Sequence, residues 1–122
     1  HGANDSTFDA IYLRPFQFKA TADSLRMRMI QYISLPEHTW RKLRARSPRV
    51  YEHSIEPSPD PNAWVQMRVV IQGETISTFI NGAKKPSLVV EKVTKLHTGR
   101  VGLYVADTSG GDFANIKITR TN

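Results

Sequence analysis

The stretch "AWVQMRVVIQGETISTFING", residues 63–82, constrains the fold more than any other part of the chain. Val65, Met67, Val69 and Ile71 fall on one face of an extended backbone, with Gln66, Arg68, Val70 and Gln72 on the other. A helix would space its apolar residues by three and four. Alternation with period two is the pattern of a half-buried strand. Gly73-Glu74 then predicts a two-residue hairpin of type II′, whose first central position requires positive φ. Asn81-Gly82 is the next turn signal and "SLVVE" the next short strand. The back half of the chain reads as an antiparallel meander.

The same period continues beyond it. "GRVGLYVAD" offers Val101, Leu103 and Val105 to one side and Gly102 and Tyr104 to the other. After the loop "TSGGD", the segment "FANIKITRT" predicts a final strand. At the front, "FDAIYLRPFQF" places Ile11 and Leu13 toward a core and Tyr12 and Arg14 on the opposite face, until Pro15 ends regular pairing. "LRMRMIQYISL", residues 25–35, also reads as a strand. "PEHTWRKLRAR" is the one good helical stretch, with Pro36 expected in its first turn and Pro48 as its stop. The proline-rich "EPSPDPN" at 56–62 is a loop. Seven or eight strands and one short helix predict an all-β protein, an antiparallel β-sandwich, as a single domain over 1–122.

Composition narrows the chemistry. With 39% hydrophobic and 23% charged residues the chain is too apolar to stay disordered. No apolar run approaches the roughly 18–20 residues of a membrane span. The absence of cysteine excludes disulfides, thiolate catalysis and cysteine-ligated zinc. The net charge of +6 is uneven: Arg26, Arg28, Arg41, Lys42, Arg44, Arg46 and Arg49 occupy a stretch whose only acid is Glu37. Nucleic-acid binding would add exposed aromatics among such residues. Only Trp40 is interleaved, and its spacing to Leu43 fits the apolar side of a short helix, so no nucleic-acid partner is expected.

Taken in order, "YLRPFQF", "MIQYIS", the tryptophan before "VVIQGETISTFING", "PSLVVEK" and "GRVGLYVADTSGGDFANIKI" resemble the concanavalin A-like lectin/glucanase superfamily. Within it they are most similar to bacterial laminin-G-like and 3-keto-disaccharide hydrolase domains. Gly99, Gly102, Leu103, Phe113, Asn115 and Ile118 match the closing G-x-x-G-L…F-x-N-x-x-I pattern of such domains. The resemblance implies a jelly roll, secretion or export to a bacterial periplasm, and ligand binding in the hollow of a concave sheet. A physical role fits four of these residues: Gly99 opening a strand from a turn, Gly102 admitting a close neighbour, Phe113 plugging one end of the core, Asn115 bonding backbone at the sandwich edge. Complete domains of this kind are longer. The chain, which begins at His1, is therefore expected to lack N-terminal strands and to associate with a missing segment or another chain.

The glucanases of this fold set paired carboxylates on one strand as E-x-D-x-x-E. Nothing here matches; Glu52 and Glu56, a close pair, are expected to be structural or exposed. His38, His53 and His97 lack metal-ligand spacing. Asp107 and Asp112 around "SGG" offer oxygens of the type calcium takes, although a plain turn explains them as well; no cofactor is expected. The candidate ligand face is Tyr12, Arg14, Gln66, Arg68 and Tyr104: tyrosine as a platform for a sugar ring, arginine and glutamine as fixed donors. The competing view makes these outer-face residues, with Arg14 ion-paired to Asp9 or Asp112. The expectation is a non-catalytic, carbohydrate-associated domain binding a glycan or a neighbouring domain. The alternatives are a glycoside hydrolase-related domain with its acids in the missing front, and a protein-interaction module using the basic stretch 41–49.

Overall fold

The computed structural model describes residues 2–4, 6–94, 99–103, 105 and 111–119. Within them the chain is antiparallel and β-rich, with two sheets and little helix. The first sheet has the order β1-β2-β3-β4, made of Gly2–Asn4, Thr7–Leu13, Ile30–Leu35 and Glu52–His53. The second has the order β5-β6-β7, made of Met67–Gln72, Thr75–Ile80 and Leu88–Glu91.

The second sheet follows the alternation residue by residue. Met67 lies opposite Ile80, Val69 opposite Thr78 and Ile71 opposite Ile76, so each apolar side chain shares a face with its cross-strand partner. Gly73 turns the hairpin at φ 60° while Glu74 stays at negative φ, as a type II′ turn demands. Asn81 and Gly82 both take positive φ, and the N–H of Ala83 closes that turn on the carbonyl of Ile80.

In the first sheet Ile11 pairs with Tyr32 and Leu13 with Ile30. These residues face Ile76, Ile80, Leu88 and Val90 of the second sheet across one shared hydrophobic cluster, which also takes in Phe18, Met29, Leu43 and Ile55. Burying each such side chain contributes on the order of 1.5–3 kcal/mol. Polar groups pin the contact between sheets. The hydroxyl of Tyr32 accepts the backbone N–H of Val93, and buried Lys92 pairs with buried Asp9.

Several expectations are corrected. Residues 25–29 are not strand: the helix α1, Asp23–Arg26, occupies their start and a turn follows, which buries Met29 completely. Strand geometry begins only at Ile30, where arginine no longer alternates with the apolar residues. Pro36 lies in the turn before α2, Trp40–Arg46, and Thr39 caps that helix by accepting the N–H of Lys42. The helix ends at Arg46, ahead of Pro48, as expected. No strand forms in the described parts of 99–119, apart from a bridge in which Gly2 and Arg100 exchange both backbone hydrogen bonds. Gly99 is needed there: a Cβ on it would sit 2.3 Å from the carbonyl oxygen of Gly2. Gly102 has open space beside it rather than a close neighbour, and Phe113 is half exposed rather than a plug. Asn115 takes φ 56° and is exposed.

Candidate functional site

Antiparallel register places Tyr12 opposite Gln31 and Gln31 opposite Glu52, a polar row across β2, β3 and β4 on the face turned away from the shared core. Arg14 follows the end of β2. Its backbone N–H still bonds the carbonyl of Met29, so the residue stays on the sheet although Pro15 begins a 3-10 turn directly after it. Its guanidinium donates to the Tyr12 hydroxyl at 2.8 Å and to the carbonyl of Arg28 at 3.0 Å, and lies 4.0 Å from a Glu52 oxygen. The same guanidinium sits 4.9 Å from the centre of the Tyr12 ring.

Helix α2 brings a second arginine to the same carboxylate. Arg44 donates through Nε and Nη2 to the two oxygens of Glu52, both at 2.7 Å, a bidentate pair. It also stacks at 4.8 Å on the ring of Trp40, one turn back along the helix, while Arg41 approaches that ring to 5.3 Å. Glu52 is almost wholly buried, which its two arginines make tolerable. Burial pulls Arg14 below the ordinary arginine value, against the opposing influence of Tyr12 and Glu52. The hydrogen bonds that Arg44 donates to Glu52 hold its guanidinium above that value.

Of the five residues singled out from sequence, the structure brings Tyr12 and Arg14 together. Gln66 and Arg68 belong to the outer face of the other sheet, beyond the shared core. There Gln66 joins the hairpin end through backbone bonds to Asn81, and Arg68 covers its cross-strand neighbour Phe79 at 4.2 Å. Tyr104 lies outside the described residues. One cleft, about 2660 Å3, runs over both faces of its strands, touching Ile11 as well as Tyr12 and Met67 as well as Arg68. It is an open side of the molecule, not a shaped hollow.

Arg14 does pair with an acid, but that acid is Glu52; Asp9 is engaged by Lys92, Ser34 and Thr94 instead. Sequence reasoning missed Gln31, Trp40, Arg44 and Glu52 as members of the site. The signal available was Glu52, the first acid to follow the basic stretch, beside a tryptophan spaced by four from an arginine. Glu56 is held by Arg26 at the surface, so neither carboxylate of the sequence pair is poised beside the other as an acid and its base. Among the described residues no three histidines or carboxylates gather as metal ligands. His97, Asp107, Ser109 and Gly110 lie outside the described residues; Gly111 and Asp112 are exposed. No helix among the described residues is long and apolar enough to cross a membrane.

Comparison with known proteins finds no matching family model, no matching curated protein and no matching solved structure.

Proposed function

We propose that the chain is a concanavalin A-like β-sandwich serving as a non-catalytic, carbohydrate-associated module of an exported bacterial protein, with its ligand face on the outer side of the four-stranded sheet. The observation that carries this reading is the convergence of Tyr12, Arg14, Arg44 and Trp40 around buried Glu52. Aromatic faces beside fixed guanidinium donors are the chemistry that holds a pyranose ring and its hydroxyls. Two arginines rather than a second carboxylate flank Glu52, which suits binding and not glycoside cleavage. A glycan array read with the native protein and with Tyr12→Ala and Trp40→Ala tests it. Sugar hits that fade in both variants support the module; silence of the native protein across the array ends it.

A second reading, association of two copies along β5, is favoured by one observation. Val69 and Ile71 sit on the core-side face of this edge strand yet remain 42% and 51% exposed. Such an edge is a template for another strand. Light scattering across a dilution series separates a dimer from a monomer.

A further inference from the structure

Trp64 is 71% exposed, although tryptophan carries one of the largest apolar surfaces a side chain has to hide. The turn that presents it is fixed. Asp60 accepts the N–H of Asn62 on its carboxylate at 2.8 Å and the N–H of Ala63 on its backbone carbonyl at 3.2 Å. No ring or cation stacks on Trp64 among the described residues. Trp40, by contrast, already carries Arg44 and Arg41 on its ring.

Two and four residues further on, Gln66 and Arg68 are exposed on the outer face of the second sheet, with the shared core between them and Glu52. The backbone of Gln66 is held by Asn81, whose Oδ1 accepts its N–H at 2.9 Å and whose N–H donates to its carbonyl at 2.8 Å. Its side-chain amide, a donor and an acceptor, has no partner among the described residues. Arg68 lies 4.2 Å from the centre of the Phe79 ring, which steadies the guanidinium, yet it makes no hydrogen bond or ion pair among them. Its five donors are open to solvent. Trp64, Gln66, Arg68 and Phe79 all line the same open cleft.

An uncovered indole beside unpaired donors and an acceptor suits a ring with a C–H face and hydroxyls on its rim. Resting on the carbohydrate reading above for the class of ligand, we infer that this end of the second sheet is a separate binding face for a neutral polysaccharide chain. Trp64 is its platform, and Gln66 and Arg68 bond its hydroxyls. The face is open, whereas sites for small ligands are concave and enclose them, so a single sugar ring would bury little of itself here. A chain laid across Trp64, Gln66 and Arg68 meets all three. A single-stranded nucleic acid would also stack on Trp64, but its backbone needs a groove of positive charge, and of these three residues only Arg68 is a cation.

The test is a tryptophan-fluorescence titration with soluble arabinoxylan, galactomannan and mixed-linkage β-glucan, on Trp40→Ala and on Trp64→Ala. The chain has two tryptophans, so each variant leaves one reporter. The expected result is that at least one polysaccharide shifts the emission of Trp64 in Trp40→Ala to shorter wavelength. Adding Gln66→Ala or Arg68→Met to that variant should weaken the response by about tenfold, as loss of a central contact does. Binding should persist as salt is raised from about 50 to about 500 mM, because the ligand is uncharged. A response that vanishes over that range would overturn the neutral ligand in favour of a polyanion. A response in Trp64→Ala but none in Trp40→Ala would overturn this face and leave the one around Glu52 standing. Silence of both variants would overturn this inference, while the glycan array decides the reading above. If Trp40→Ala folds poorly, retardation of the native protein and of Trp64→Ala in a gel containing each polysaccharide decides instead, since Trp64 is exposed and its loss spares the core. Retardation of the native protein alone is expected, and equal mobility would overturn the assignment.

Discussion

Lys92 Nζ lies 3.7 Å from Asp9 Oδ2, and both side chains are buried. Asp9 belongs to β2 of the first sheet, and Lys92 directly follows β7 of the second, so this pair ties the sheets together. Ser34 and Thr94 donate to the same carboxylate, which leaves the buried charge well provided with hydrogen bonds.

Removing one partner strands the other. Asp9→Ala is expected to cost about 3–5 kcal/mol in urea unfolding, the range for breaking a buried ion pair. Asp9→Ala combined with Lys92→Met should cost less than the sum of the two single changes. Strict additivity in that cycle would mean the two charges do not interact.

Tyr32 gives a pH signature. Burial raises its phenol well above the ordinary tyrosine value, with the charge of Asp9 adding to the effect and the bond from Val93 opposing it. Because the folded value lies above the unfolded one, the stabilisation is complete below about pH 10 and is lost as pH climbs toward the folded value. Ultraviolet titration should therefore show a late step from Tyr32, coincident with loss of structure. Tyr32→Phe should remove that late step. It should also destabilise by about 1–3 kcal/mol, because the Val93 N–H loses its acceptor.

Glu52→Gln tests whether this carboxylate is structural. Arg14 and Arg44 would be left facing each other with no anion between them. A loss of about 3 kcal/mol or more is expected, in line with other buried pairs. An unchanged midpoint in urea would show that Glu52 does not anchor α2 to β4.

Gly73→Ala isolates a backbone effect. Open space surrounds the position where a Cβ would be placed, so nothing clashes, but φ is 60°. The expected cost is about 1–2 kcal/mol, from forcing an L-residue into the left-handed region. Gly102→Ala, in open space and without positive φ, should be close to neutral in the same assay.

Replacing Val69 and Ile71 with threonine should lower any concentration-dependent association, since it makes the exposed face of β5 polar while keeping β-branching. Light scattering reads the result. Association unchanged by the double substitution would direct attention to a different surface.

The strands from Met67 to Glu91 were legible because their information is local. A side-chain period of two fixes which residues share a face, and glycine or Asn-Gly at the turns fixes the hairpin register; the structure repeats both. The segment at residues 25–29 misled because Leu25, Met27 and Met29 alternate as a strand would, while a helical turn buries Met29 equally well. For the site, alternation correctly set Tyr12 and Arg14 apart from Ile11 and Leu13. It is silent about which sheet a strand joins. Gln66 and Arg68 have the right face of the wrong sheet, because the fold puts the shared core between them and Tyr12. Glu52, Arg44 and Gln31 come from a two-residue strand, a short helix and the middle of β3. Sequence alone thus determined strand faces and turns, which depend on neighbouring residues. Only tertiary structure decided that a basic helix would return to place its arginine on a buried carboxylate, because that contact is selected by the cost of burying a charge and not by any local pattern.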